Sequence, residues 1–244
     1  MKIAVAGATG AVGRHVVDVV REHGHEAVLL SRAEGVDLVS GAGLDLSGVD
    51  AVIDVASTST QSGEESRAFF GAVTRTLQAA ELAAGVGHHV SLGIVGSSDA
   101  PYAYYAGKVL QEELVEGGAV PWTILRATQF HEFASQIHGS ITAGPFILVP
   151  KMVSQPVAAR EVAERLVQLA EGAPAGRVPD LAGPRVEHMP RMVRAWARHT
   201  GARGPIVTVP APGPFGKALR DGTLLPKPGA DLGTQTYDEW LAGQ

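Results

Sequence analysis

The sequence predicts an α/β fold, a doubly wound parallel sheet with a smaller irregular C-terminal part. Three observations predict it. Short apolar runs alternate with amphipathic stretches through the first half. A glycine-rich turn joins the first run to the first amphipathic stretch. Beyond Gly201 the alternation gives way to scattered Pro and Gly.

Taken in order, residues 2–6 read as a strand. Residues 11–23 read as a helix, with Val12, Val16, Val17, Val19 and Val20 on its apolar positions. Strands follow at 26–31, briefly at 35–39, and at 51–55, the last bounded by the polar run 57–63. Residues 64–84 read as a long helix, 88–95 as a strand, 103–116 as a helix and 122–127 as a strand. Strands apolar on both faces and alternating with helices imply a parallel sheet covered on both sides.

The second half is less regular. Residues 145–149 suit a strand and 158–171 a helix; 187–200 suit a helix interrupted near its start by Pro190. Pro205, Pro210, Pro212, Pro214, Pro226 and Pro228 then mark an irregular cap. The Tyr, Trp and Leu of residues 237–241 look made to dock. The expected division is residues 1–144 and a closely associated region, 145–244.

Composition narrows the classes of function. The chain has 244 residues, 45% hydrophobic and 18% charged, which is globular and not disordered. A net charge of −5 without a basic block speaks against a nucleic-acid surface. The absence of Cys excludes disulfides, thiolate metal sites and a Cys nucleophile. No leader pattern opens the chain, and no apolar run approaches the ~20 residues that span a bilayer. The expected location is the cytoplasm, with no membrane partner. Monomer and homodimer are both open.

Gly7-Ala8-Thr9-Gly10-Ala11-Val12-Gly13 lies between the first strand and the first helix. Gly7 permits the turn, Gly10 lets backbone approach a pyrophosphate, and Gly13 lets helix and strand pack closely. The free N–H groups of the helix start then face phosphate. This is a Rossmann-type dinucleotide loop in its confirming context. After the second strand come Ser31 and Arg32, where an acid for the ribose 2′-hydroxyl is usual. A guanidinium suits a 2′-phosphate instead, so NADP(H) is the preferred cofactor, with NAD(H) possible.

With Tyr104-Tyr105-Ala106-Gly107-Lys108 and Trp122-Thr123-Ile124-Leu125-Arg126 added to that loop, the sequence resembles the short-chain dehydrogenase/reductase superfamily. More narrowly it is similar to the atypical, NmrA-like members. Gln155-Pro156-Val157 and Gly233-Thr234-Gln235-Thr236-Tyr237-Asp238-Glu239-Trp240 extend the resemblance over nearly the whole chain. It implies an oxidoreductase that moves hydride between a nicotinamide cofactor and a small carbonyl or alcohol. It also implies adenine contacts at Asp37 and Leu38, and cofactor contacts at Ala56, Ser57, Lys108, Ala127, Thr128 and Gln129. The family's Pro-Gly pair after the sixth strand is missing here.

Tyr104 and Lys108 match the family's Tyr-x-x-x-Lys, which places both on one helix face. A phenol with a pKa of about 10 is a poor acid–base group at neutral pH, and a nearby ammonium lowers that value. Tyr105, three residues before Lys108, also shares the face; spacing leaves both open and the family pattern selects Tyr104. Ser91 is the candidate for orienting the substrate oxygen, with Ser97 and Ser98 in reserve. Asp54, at the end of an apolar strand, is either a cofactor-site group or a turn cap. The nine histidines form no recognised metal-ligand pattern, and Gly-x-Ser-x-Gly is absent. A small-molecule pocket is expected beside the second half, with Phe130, His131, Phe133, Ile137, Phe146 and Met152 as walls. Two other functions fit the same loop: a non-catalytic dinucleotide-binding redox sensor, and an NAD-dependent epimerase or isomerase.

Overall fold

In a computed structural model that describes residues 1–140 and 142–244, the elements run as follows. The first half holds β1 (Lys2–Ala6), α1 (Gly13–Glu22), β2 (Glu26–Leu30), β3 (Ala51–Asp54), α2 (Gly63–Ala84), β4 (His88–Ile94), α3 (Tyr104–Glu116) and β5 (Trp122–Ala127). Next come α4 (Phe133–Ser140), β6 (Thr142–Ala143), β7 (Phe146–Pro150), β8 (Val153–Ser154), α5 (Ala159–Glu171), β9 (Gly176–Arg177) and β10 (Leu181–Ala182). Last are β11 (Glu187–His188), α6 (Met189–Thr200), β12 (Ile206–Val209), α7 (Gly213–Ala218), β13 (Asp231–Leu232) and α8 (Tyr237–Ala242).

The chain forms two compact units. One is Met1–Arg126 with Arg160–Pro179, the other Ala127–Ala159 with Asp180–Gln244. The units cross the single boundary expected at residue 144, because the chain returns to the first unit through α5. That helix buries Val162, Ala163, Leu166, Val167 and Ala170, a stripe at helical spacing.

In the first unit the strand order is β5-β4-β3-β1-β2. β1 pairs with β2 and β3, and β3 with β4, all in parallel. The chain steps outward from β1 to β2 and then back across β1 to β3. That reversal is the switch point at which α/β sheets place ligands. It sets Ala6, the last residue of β1, level with Asp54, the last of β3. On one face of the sheet Ala4, Ala6, Leu30 and Val52 pack with Val73 and Leu77 of α2. Period two on the strands thus meets a helical spacing on the helix. On α1 the buried residues are Gly13, Val16, Val17, Val19 and Val20. Each fully buried Val or Leu contributes about 1.5–3 kcal/mol.

In the second unit β7 pairs with β12 in parallel and with β6 antiparallel, and β8 with β11 antiparallel. The closing segment docks within this unit. Tyr237 stacks on Trp240, its Oη donates to the Met192 carbonyl at 2.9 Å, and a Thr236–Glu239 capping box starts α8.

Two expectations need correction. Residues 35–39 form no strand. Gly35 is left-handed, and the Asp37 carboxylate takes the Val39 N–H at 2.9 Å and the Ser40 hydroxyl at 2.6 Å. A local Asx turn thereby replaces strand pairing. Pro190 does not interrupt a helix. It sits in the first turn of α6, where its missing N–H costs nothing.

Candidate active site

The glycine loop is built by close backbone approach. Gly7 has φ +83°, and a Cβ there would lie 2.8 Å from Ala56 Cα. A Cβ on Gly13 would lie 2.1 Å from the Gly7 carbonyl oxygen. These two glycines let the loop, the start of α1 and the end of β3 share one corner. Gly10 is different: its added Cβ would meet only the Gly7 oxygen, at 3.2 Å, and the residue is exposed. Helix α1 has Val12 at its N-cap, with no side-chain cap and no acid in its first turn. Thr9 is exposed and Ala11 half-buried beside it. Such a helix start accepts an anion, as a dinucleotide phosphate requires.

At the end of β2, Ser31 is buried and its Oγ has no hydrogen-bond partner among the described residues. A buried hydroxyl of that kind calls for a ligand or water. Arg32 next to it is exposed on a short 3-10 turn. The hydrogen bonds from Ser40 and Val39, with Arg32 adding, hold the Asp37 carboxyl below its usual range. Leu38 is half-buried in the same turn. The loop and the Ser31–Arg32 step therefore fit a dinucleotide.

Tyr104 opens α3 directly after Ala103, which has φ +50° and ψ −132°. The Tyr105 N–H returns to the Tyr102 carbonyl at 3.0 Å, so a tight turn aims Tyr104. Helix α3 lies hard against α2: a Cβ on Gly107 would meet Ser66 Oγ at 2.2 Å, and Ser66 donates to the Tyr104 carbonyl at 2.7 Å. The Tyr104 hydroxyl shares a 2.9 Å hydrogen bond with Ser57, which follows β3 and is exposed. Burial pushes the phenol up, Ser57 pulls it down, and Asp54 pushes it up again; the net direction is up. The expected lowering by Lys108 is thus not what this arrangement gives.

Lys108 lies one turn along α3 and is 4% exposed. Its ammonium donates to the Leu92 carbonyl at 2.6 Å and to Gln111 Oε1, and sits 4.7 Å above the Phe70 ring. No hydrogen bond joins it to Tyr104 among the described residues. Phe70 touches both, meeting the Tyr104 ring edge-on at 5.4 Å. Burial brings the ammonium down to about 8, against the pull of Asp54 and Glu112.

The other expected residues are placed as follows. Ser91 is fully buried within β4, level with Asp54, and its Oγ has no partner among the described residues. The hydroxyl that meets Tyr104 is that of Ser57. Ser97 is buried, and Ser98 accepts from Arg126 at 2.7 Å. Tyr105 is buried. Ala127 and Thr128 are buried in the second unit, where Thr128 donates to the Gln155 carbonyl and Gln129 accepts from Ser154. Asp54 caps its own turn through the Ala56 N–H at 3.0 Å, and its other oxygen takes Gln111 Nε2 at 2.7 Å. Sequence reasoning missed Phe70 and Gln111. A signal for Gln111 existed: residues 104, 108 and 111 are polar at i, i+4, i+7, one stripe of a helix packed into the core.

The parallel sheet with its glycine corner is a Rossmann-type α/β fold, and solved structures share it over nearly the whole chain. A short-chain dehydrogenase/reductase superfamily protein from Agrobacterium tumefaciens, solved with bound NAD, is 19% identical with a TM-score of 0.66, over 100% of this chain and 95% of that one. A nucleoside-diphosphate-sugar epimerase from Staphylococcus aureus gives 14% and 0.68, over 99% of each chain. An NADPH-dependent quinone oxidoreductase from Escherichia coli gives 15% and 0.64, over 99% and 98%. In sequence the chain is 36% identical, over 144 residues, to a (4-alkanoyl-5-oxo-2,5-dihydrofuran-3-yl)methyl phosphate reductase of Streptomyces griseus subsp. griseus. That match covers 52% of this chain and 48% of the relative, so it spans about half the relative's length. No family model matches the chain.

Proposed function

We propose that this protein is an NAD(P)-dependent oxidoreductase, using NADPH by preference, that reduces a small carbonyl compound. The observation that carries the reading is the Tyr104 hydroxyl, fixed at 2.9 Å from Ser57 at the start of the helix that also carries Lys108. Gly7, Thr9, Gly10, Ala11, Val12 and Gly13 would hold the dinucleotide phosphates. Ser31 and Arg32 would take the 2′-phosphate, Asp37 and Leu38 would meet the adenine, and Ala56 and Ser57 would line the cofactor cleft beside Gly7. The bound nicotinamide supplies hydride.

Tyr104 supplies the proton to the substrate oxygen, and its raised titration keeps it in the protonated form an acid needs. Ser57 orients that hydroxyl. Lys108, one turn along the same helix, would act on the cofactor side of the site and not on the phenol, whose titration only Ser57 lowers. Ser91 remains the candidate for holding the substrate oxygen.

The test is NADPH oxidation followed at 340 nm over a carbonyl panel. The panel includes the dihydrofuranone phosphate class named for the Streptomyces griseus relative. Tyr104→Phe should cut turnover by roughly two to four orders of magnitude with cofactor binding nearly intact. Tyr105→Phe should be nearly silent. A substrate reduced equally well by Tyr104→Phe overturns the reading.

A further inference from the structure

Buried polar side chains need partners, and a buried ammonium needs them most. Lys108 has three neighbours: a carbonyl oxygen, an amide oxygen and a ring face. The carbonyl and the ring are neutral and fixed by β4 and α2. The amide belongs to Gln111, which is fully buried and joined on its other side to the fully buried Asp54. An ammonium only donates and a carboxylate only accepts, so the amide has one orientation here, oxygen to Lys108 and nitrogen to Asp54. Asp54 is itself fixed by the Ala56 N–H at the corner where β3 meets the glycine loop.

We infer that Gln111 is a positioning residue: anchored by Asp54, it holds the Lys108 ammonium charged at the Leu92 carbonyl and over Phe70. An amide between a carboxylate and an ammonium spaces a buried ion pair and saturates both partners. A direct pair would leave donors and lone pairs unmet. The other charge acting on Lys108 is Glu112, the next residue on α3. Glu112 is already held by Arg126 at 2.5 Å and Arg177 at 2.8 Å, so the Asp54–Gln111 link is the one directed at the lysine. The inference rests on the proposed part of Lys108 in the reductase, but its test does not.

The chain has five lysines, at 2, 108, 151, 217 and 227. Lysine labelled with ¹³C at Cε can therefore be titrated by NMR in the whole protein, with Lys108→Arg identifying the signal. In the wild type the Lys108 signal should be displaced by the Phe70 ring and titrate near 8. Gln111→Met keeps the length and removes both hydrogen bonds. It should lower the midpoint by about one pH unit or more, the share of one charge-assisted bond. Gln111→Glu keeps an acceptor for the lysine and should hold the midpoint at or above the wild-type value. If Gln111→Met does not fold, Asp54→Asn should give the same fall.

An unchanged midpoint in a folded Gln111→Met or Asp54→Asn overturns the inference. So does a Gln111→Glu midpoint that falls as far as that of Gln111→Met, or a wild-type Lys108 signal free of ring displacement. NADPH titration of the same samples separates the two readings. A wild type that binds no NADPH removes the reductase and leaves the lysine result standing.

Discussion

Ser57 and Tyr104 come from different sides of the first unit's corner and share a hydrogen bond of 2.9 Å. Of the groups acting on the Tyr104 phenol, burial and Asp54 raise its titration and only Ser57 lowers it. Ser57→Ala should therefore move the phenol still further alkaline. The check is absorbance near 295 nm against pH, with Tyr104→Phe as the blank for that one residue. Turnover on a reducible carbonyl should fall by roughly two- to tenfold, the worth of one neutral hydrogen bond. An unmoved ionisation would mean that the phenol does not feel Ser57.

Gly10 and Gly13 belong to one motif but should fail in different ways. A methyl on Gly13 enters backbone, 2.1 Å from the Gly7 oxygen and 2.9 Å from Ala8 Cα. Neither atom can swing aside, so Gly13→Ala should cost about 1–3 kcal/mol. For a chain of this size that lowers Tm by roughly 2–12 °C. A methyl on Gly10 meets one atom at 3.2 Å and should leave Tm within about 2 °C. It should instead weaken NADPH by tenfold or more, because it stands where a pyrophosphate approaches. Thermal melts and a fluorescence titration of both variants check the contrast. Equal binding by folded Gly10→Ala and wild type would remove the loop from the cofactor site.

That contrast marks how far the sequence could be read. Glycines at positions 7, 10 and 13 after an apolar strand identify a loop and its neighbours, because the constraint is local. The parallel sheet was legible for a similar reason: a strand such as Ala51–Asp54, buried at every position, has no polar face to show water. The link from Asp54 to Gln111 was not legible. It joins residues 57 positions apart, and no local pattern announces which buried carboxylate a glutamine will meet. Residues 35–39 misled because Val36 and Leu38 imitate a strand, while Gly35 and Asp37 fold the backbone onto itself. The second unit's short strands, such as Leu181–Ala182, are below the length at which periodicity carries information.

Ala103 holds a left-handed φ of +50° immediately before Tyr104. With ψ at −132° the residue lies in a sparsely populated conformation, which costs about 1–3 kcal/mol. Glycine removes the cost but adds roughly 0.4–1 kcal/mol of freedom to the unfolded chain. Ala103→Gly should therefore hold or slightly raise Tm, while turnover falls as the turn that aims Tyr104 loosens. A clear drop in Tm would show that the alanine is unstrained and that its methyl packs favourably.

His89 and Glu81 form a buried pair, Nδ1 to Oε1 at 2.7 Å, joining β4 to α2. Burial works against the charged imidazole, but the Glu81 charge and hydrogen bond, with Asp54 assisting, carry His89 above its ordinary value. A group whose folded titration is raised contributes its full stability below its unfolded value, about 6.5 for His, and loses it as pH rises through the folded value. The wild type should thus lose stability as pH climbs from near 6.5 into the alkaline range. In Glu81→Gln the larger attraction is gone and burial outweighs what Asp54 still adds, so the imidazole titrates below 6.5 in the folded protein. The dependence then reverses, with stability rising with pH up to about 6.5 and flat beyond it. Urea unfolding at fixed intervals from pH 5 to 9 measures both curves. Parallel curves for the two proteins would mean that His89 stays neutral in the fold and that Glu81 acts only as a hydrogen-bond acceptor.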